Sequence, residues 1–190
     1  MRSETLPPGV VEACQRAAAA GFTLACEAGV GRLLAVLAAA TQARGRILEM
    51  GTGVGVGTAW IVDGLADRRD VEVISVEMDP ATAAIAARGH WPDCISLRVG
   101  DVLGLLSELG SFDLIFADAQ GGKWEGLDRT IQALRPGGIL LVDDMTPPTW
   151  LNEAHRRKTA DVRRTLLTHP ALVAAELAEA SGMILATRRR

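Results

Sequence analysis

The sequence predicts an α/β fold, a mainly parallel sheet with helices on both faces. Three observations carry that reading. Short runs rich in Val, Ile and Leu alternate with alanine-rich stretches of helical periodicity, the pattern of repeated βα units. The short apolar run at residues 47–50 reads as a strand buried on both faces. Finally, Glu49, Glu77, Asp101, Asp118 and Asp143 each stand at or just past the end of such a run. In an open parallel sheet the strand ends line one edge, which is where ligands bind. At 190 residues, 48% of them hydrophobic, the chain can bury a full α/β core, and a single domain is expected. No repeat or low-complexity linker divides it. Residues 1–45 are expected to supply N-terminal helices and 46–190 the core.

Residues 10–20 and 31–40 read as two alanine-rich helices around a looser segment, 21–30, that could extend either. Within 32–37 apolar residues fall three and four apart, as on a core-facing helix. Residues 47–50 form the first strand, and after the glycines that follow, Thr58 to Val62 opens a helix. Residues 71–76 are a β-rich run ending at Glu77. Asp79 then caps a helix that starts at Pro80, where proline's missing N–H leaves no bond unmade, with 81–88 behind it. Residues 95–99 make a third strand, 102–109 a short helix, and 112–117 a fourth strand ending in Asp118. A Gly121-Gly122 turn leads to a helix near 124–134, stopped by Arg135-Pro136-Gly137. Residues 138–142 form a fifth strand ending in Asp143-Asp144. Residues 145–149 are a loop and 150–168 a long helix. Residues 172–177 and 183–187, around Ser181-Gly182, close the chain as a hairpin.

Gly51, Gly53, Gly55 and Gly57 recur at every second position between the first strand and its helix. Backbone there can approach a ligand closely, with no Cβ in the way, and the helix start offers unpaired N–H groups. Dinucleotides and S-adenosyl-L-methionine both use such a turn. The dinucleotide fingerprint G-x-G-x-x-G/A fails in both registers, because its sixth position falls on Val56 or Thr58. Glu49, two residues ahead of Gly51, would repel a pyrophosphate but suits a ligand bearing an ammonium and a sulfonium. Glu77 ends the second strand where a carboxylate can accept both ribose hydroxyls. Asp101 ends the third, where it can accept from the exocyclic amine of adenine. Glu49 and Asp118 fall nearer the amino acid end and the sulfonium.

Taken together, Ile47 to Gly55, Val73 to Asp79, Arg98 to Asp101, Phe112 to Ala119 and Leu134 to Asp144 resemble the small O-methyltransferases of the catechol and caffeoyl-CoA type. The likeness runs from about residue 30 to 145 and more loosely to the end. It implies a Rossmann-like methyltransferase fold with seven strands, the last antiparallel. It also implies transfer of a methyl group from S-adenosyl-L-methionine to an oxygen of a small hydroxylated, catechol-like or phenolic, acceptor. The cofactor positions it implies are Glu49, Gly51, Thr52, Gly53, Gly55, Gly57, Glu77, Met78, Asp101, Val102 and Asp118, with Met78 and Val102 against the adenine. It places magnesium (Mg2+) on Asp118, Asp143 and Asp144, where a metal would lower the acceptor hydroxyl's pKa and align its oxygen with the methyl. The family's Asn is replaced by Asp144, and three carboxylates still suit a hard cation. The family's lysine, three residues past the first metal Asp, is absent; Gly121 stands there. Lys123 could serve as catalytic base beside Asp118 only if the Gly121-Gly122 loop curls back. The likeness also implies a homodimer.

Composition bounds the rest. No apolar run approaches the roughly 20 residues a membrane helix needs, and Met1 to Pro8 lacks a signal-peptide core. Cys14, Cys26 and Cys94 share no metal spacing, so a reduced, cytoplasmic setting is expected. Net charge is −3, but residues 151–190 carry +4 and the first 150 carry −7. The acidic part holds the glycine turn, which argues against a site built for phosphates. The basic helix, His155-Arg156-Arg157-Lys158 and Arg163-Arg164, reads first as a solvated face. It could instead meet RNA, as in a tRNA-modifying relative, but no aromatic–basic interleaving supports base stacking. Trp124 and Trp150 could wall an aromatic acceptor or pack on the core. The rivals to an O-methyltransferase are a nicotinamide oxidoreductase and a protein that binds the cofactor without turnover.

Overall fold

The computed structural model describes residues 5–146 and 152–190. Its seven strands are β1 (Arg46–Met50), β2 (Glu72–Glu77), β3 (Ile95–Val99), β4 (Phe112–Ala117), β5 (Leu134–Val142), β6 (Leu172–Leu177) and β7 (Met183–Arg188). They form one sheet in the order β3-β2-β1-β4-β5-β7-β6. Pairing is parallel from β3 through β5, and only β7 runs antiparallel, to β5 and β6. The helices are α1 (Pro8–Ala19), α2 (Ala28–Ala40), α3 (Val56–Leu65), α4 (Pro80–Ala86), α5 (Val102–Leu109), α6 (Gln120–Lys123), α7 (Leu127–Gln132) and α8 (Glu153–Thr168). None among the described residues is long and apolar enough to cross a membrane.

Strand side chains alternate between the faces, which is why β1 must be apolar almost throughout. Leu48 and Met50 point into a core with Val102 and Leu106 of α5, Ile131 of α7 and Val162 of α8. Ile47 points the other way, onto Val30 and Leu34 of α2 and Ile61 of α3. All three β1 side chains are fully buried. The strand order reverses between β1 and β4, and such a switch point opens a crevice beyond the strand ends. Gly51 and Asp118 stand side by side at that crevice.

The structure shifts some expected boundaries for local reasons. Helix α2 starts at Ala28, so the looser segment shortens to 21–27. Helix α3 starts at Val56, because Gly55, in left-handed conformation, caps it. The single helix expected near 124–134 is replaced by the distorted turn α6 and the short α7. Gly126, with φ 69°, separates them. Strand β5 begins at Leu134, earlier than 138, and takes Pro136 through an irregularity in its pairing with β4; a bulge accommodates the proline's missing donor. Helix α8 starts at Glu153, capped by Asn152. The expected helix start at Trp150 and the loop through Pro147, Pro148 and Thr149 lie outside the described residues.

Helices α2 and α3 approach so closely that a Cβ built at Gly64 would overlap the carbonyl oxygen of Ala35. Backbone cannot rotate away as a side chain can. A Gly64→Ala chain is therefore expected to lose about 2 kcal/mol of stability, despite alanine's higher helix propensity. That corresponds to a melting point lower by roughly 4–8 °C. An unchanged melting point would show that the two helices are free to separate.

Candidate active site

The turn after β1 is shaped by three glycines with positive φ, Gly51 (99°), Gly53 (54°) and Gly55 (92°). Side chains there would be strained and would also collide: a Cβ at Gly51 would lie 2.6 Å from the carbonyl oxygen of Asp118. The turn is tied to β2. Gly51 and Thr52 donate their N–H groups to the carbonyl of Val76 at 2.9 and 3.1 Å. The Gly53 N–H donates to Glu77 Oε2 at 2.8 Å, and Glu77 Oε1 accepts from the Asp79 N–H at 3.0 Å. Glu77 thus fixes the turn while half-buried at the strand-end edge, and each carboxylate oxygen has a second lone pair to offer. The Thr52 hydroxyl is buried against Ser75 at 2.6 Å.

The turn's outer side is covered by segments that the sequence does not connect with it. The ring of Phe22 borders Gly53, and Trp91 with Arg16 borders Gly55. Arg16 Nε donates to the carbonyl of Val54 at 3.0 Å. Such contacts have no signature in local spacing, since they join residues from α1, the α1–α2 loop and the α4–β3 loop to the turn after β1.

Glu49 lies beneath the turn. It is 0% exposed. Its Oε2 accepts from the hydroxyls of Thr58 and Ser75, both at 2.5 Å, while Oε1 has no hydrogen-bond partner among the described residues. Burial pushes its carboxyl up to about 7, against the two hydroxyl bonds that lower it, with a small further rise from Glu77. Gly57 is buried directly above it; a Cβ there would overlap Glu49 Oε1. Both residues support the turn from below and present nothing at the open edge.

Toward β3, Asp101 spends its carboxylate capping α5, accepting from Leu103 N at 3.0 Å and Gly104 N at 3.3 Å. It remains exposed, as does Met78 at 70%, whereas Val102 is buried. Gly121, just past β4, lies next to Val102 and Asp101, just past β3.

Beyond β4 and β5 the acids gather. Ligand oxygens of Asp118, Asp143 and Asp144 all lie within 4.8 Å of one another. Lys123 joins them because the backbone before it doubles back. Gly122 takes φ 90°, its N–H donates to the Glu125 carbonyl at 2.7 Å, and its own carbonyl accepts from Thr130 Oγ1 at 2.8 Å. The Lys123 ammonium then sits 2.9 Å from Asp144 Oδ2, 3.3 Å from the Asp143 carbonyl and 3.7 Å from Asp118 Oδ1. It also lies 4.8 Å from the centre of the Trp124 ring. The Lys123 side chain is 2% exposed, against 18% for Asp118 and 49% for Asp144.

Asp143 Oδ1 accepts from the Ser181 hydroxyl and from the Asp144 N–H, the latter at 2.7 Å. Ser181, from the β6–β7 turn, carries no sequence signal for this role; only its distance in the chain hides it. Burial raises the Asp118 carboxyl well above the usual range, Lys123 pulls it back, and Asp143, Asp144 and Glu49 raise it further. Burial likewise raises Asp143, opposed by its bonds from Ser181 and the Asp144 amide. Cys26, in the loop before α2, has its thiol pushed up by burial and by the charges of Asp118, Asp143 and Glu49. Trp124 stacks edge-on with His155 at 4.6 Å; Trp150 lies outside the described residues.

A methyltransferase domain family model matches residues 48–145, the span from β1 to just past the β5 acids. The catechol O-methyltransferase of Mycobacterium tuberculosis is 33% identical over 129 residues, 64% of this chain and 57% of that protein. A Mycolicibacterium vanbaalenii protein, provisionally named an O-methyltransferase, is 34% identical over 121 residues, 60% of this chain and 52% of its own. The chain thus spans about half the length of the curated relatives it matches. Among solved structures, cofactor-bound Rv0187 from MTB aligns with TM-score 0.85 at 27% identity, over 100% of this chain and 93% of that one. An O-methyltransferase from Bacillus cereus in complex with SAH aligns with TM-score 0.83 over 99% and 94%, and at 23% identity it speaks for the fold alone.

Proposed function

Because the chain belongs to the methyltransferase domain family, we propose that it binds S-adenosyl-L-methionine and transfers its methyl group to an oxygen of a small phenolic or catechol-like acceptor. One observation carries this reading. The glycine turn with Glu77, and the cluster of Asp118, Asp143, Asp144 and Lys123, stand side by side on one strand-end edge. The first suits a nucleoside with a cationic sulfur and the second a hydroxyl about to lose its proton.

In this reading the turn at Gly51, Thr52, Gly53 and Gly55 lies along the cofactor's amino acid and ribose. Glu77 accepts from the ribose hydroxyls, and Met78, Asp101 and Val102 border the adenine. Glu49 acts through its field and its support of the turn. The acceptor meets Asp118 and Asp144, the two cluster acids that solvent reaches. Its oxygen attacks the methyl carbon as the carbon–sulfur bond breaks. The bonding pair stays on sulfur, the sulfonium becomes a neutral thioether, and the hydroxyl proton passes to the Asp118 carboxylate. Burial, by raising Asp118, makes its ionised form a stronger base than an ordinary aspartate. The sulfonium is already reactive, so alignment and exclusion of water are the protein's main work. Magnesium, implied by the family resemblance, would find a donor set of suitable kind in Asp118, Asp143 and Asp144. The gap between Asp118 and Asp144, however, is bridged by Lys123.

The basic face of α8 does not favour an RNA substrate. Arg157 pairs with Glu153, Arg164 with Asp161, and Arg163 with Glu176, so much of its charge is answered within the chain. Nothing in the turn favours a dinucleotide over S-adenosylmethionine.

The test is calorimetric titration with S-adenosylmethionine, followed by incubation with a panel of catechols and simple phenols and mass detection of the methylated product. Saturable binding and one added methyl on a panel member are expected. No heat of binding from a folded sample would overturn the reading. Binding without transfer to any hydroxyl compound would reduce the chain to a cofactor binder.

A further inference from the structure

We propose that Lys123 is the resident cation of the acid cluster. Its ammonium takes the position a divalent metal would need, so the chain binds such metals weakly and transfers its methyl group without one. Metal-free transfer rests on the methyltransferase reading above; weak metal binding does not.

A hard divalent ion held by three carboxylates needs their lone pairs free and converging on one point. Here the oxygens that face one another are already turned to the protein's own donors. Asp144 Oδ2 accepts from Lys123 at 2.9 Å, and Asp118 Oδ1 faces the same nitrogen at 3.7 Å. Asp143 Oδ1 holds the Ser181 hydroxyl and the Asp144 N–H. An ammonium carries three donors and no acceptor. The two carboxylates and the Asp143 carbonyl, 3.3 Å away, are three acceptors arranged around it. A metal ion entering between Asp118 and Asp144 would meet a like charge at close range, or would have to expel it.

Expulsion is opposed by how Lys123 is built in. The side chain is 2% exposed. Behind it, Gly122 is locked at φ 90°, where a Cβ would overlap the sulfur of Met50, and Thr130 holds the Gly122 carbonyl. The face of the Trp124 ring, 4.8 Å from the nitrogen, adds a cation–π contact. Asp144 itself adopts φ 60°, a left-handed conformation that aspartate and asparagine tolerate better than most residues. A swinging surface lysine would need none of these supports. Because Lys123 is covered while Asp118 is partly exposed and Asp144 exposed, it acts through those two acids. It is a positioning residue, holding both carboxylates in place and offsetting their charge.

The experiment titrates magnesium and manganese chloride by calorimetry into the wild-type chain and into Lys123→Met and Lys123→Arg. The wild type is expected to show no binding below millimolar metal. Lys123→Met, with the cation gone and the acids intact, is expected to bind manganese at least tenfold more tightly than the wild type. Lys123→Arg keeps the charge and should stay as weak as the wild type. Circular dichroism and melting curves establish that each variant is folded. Sub-millimolar metal binding by the wild type, or a Lys123→Met chain that binds no more tightly, would overturn the proposal. Transfer measured with and without EDTA then tests metal independence: equal rates are expected, and loss of transfer on chelation would contradict it. Failure to bind S-adenosylmethionine would remove the methyltransferase reading, while the metal titrations would still decide whether Lys123 fills the cation position.

Discussion

A Glu77→Ala chain is expected to lose affinity for S-adenosylmethionine by a factor of 10² to 10⁴ while remaining folded. Two charge-assisted hydrogen bonds to ribose hydroxyls, each about 1.5–3 kcal/mol, account for roughly 3–6 kcal/mol, which is that factor in the dissociation constant. The structure adds a second route to the same loss. Glu77 Oε2 is the partner of the Gly53 N–H, and Oε1 that of the Asp79 N–H. Without the carboxylate the turn loses its tie to β2, and the backbone that should lie along the ligand is free to drift. Glu77→Gln separates the two contributions. Its amide oxygen can still accept from Gly53, but it cannot accept on both sides, so an intermediate loss is expected. Calorimetry reads the affinities. If Glu77→Ala binds within threefold of the wild type, the ribose is not at β2, and the cofactor assignment fails with it.

Elements whose cause is local are legible in the sequence. The bounds of β3, α5 and β4 match the expected 95–99, 102–109 and 112–117. Asp79 and Pro80 mark the start of α4 by capping chemistry alone. The antiparallel last strand comes from the family resemblance and not from spacing, and the sheet bears it out. What the sequence cannot show depends on long-range approach. Helix periodicity continues through Trp124 and Leu127, and only the left-handed Gly126 and the demands of the β4–β5 pairing split that stretch. The inward turn of Lys123 depends on Met50 and Thr130 lying behind Gly122, residues far away in sequence. Spacing can state the condition, that the Gly121-Gly122 loop must curl back, but not whether it is met.

The same distinction applies at the site. The acids at strand ends are readable because an open parallel sheet brings strand ends to one edge, whatever the details of packing. Which way each acid points is not. Position alone, two residues ahead of Gly51, groups Glu49 with the ligand-facing acids. A strand side chain, though, goes to whichever face its parity dictates. Parity here sends Glu49 toward Thr58 and Ser75, under α3, while Asp118 and Asp144, past their strand ends, escape that constraint and reach the edge.

That buried position makes Glu49 the source of the second large expected effect, on stability against pH. In the unfolded chain its carboxyl titrates near 4.5; in the fold, burial pushes it up to about 7. Below about 4.5 both states hold the proton and pH has no leverage through this group. Between the two values the folded state keeps a proton that the unfolded chain has released. Stability therefore falls as pH rises, by about 1.4 kcal/mol per unit and roughly 3 kcal/mol in all. Above about 7 the loss is complete. Other raised carboxyls, Asp118 and Asp143, add slopes of the same sign, so the contribution is isolated by difference. Glu49→Gln keeps the shape and can accept from both hydroxyls but carries no charge at any pH. Relative to the wild type it should gain roughly 3 kcal/mol in urea unfolding between pH 4.5 and 7.5; parallel curves would show that Glu49 is ionised in the fold throughout. The variant also decides what the buried carboxyl contributes to function. If its affinity for S-adenosylmethionine matches the wild type at pH 8, Glu49 serves the turn through hydrogen bonding alone. If affinity falls only above pH 7, the ionised carboxylate beneath Gly57 attracts the sulfonium through the protein, and its poor solvation is the reason the attraction carries that far.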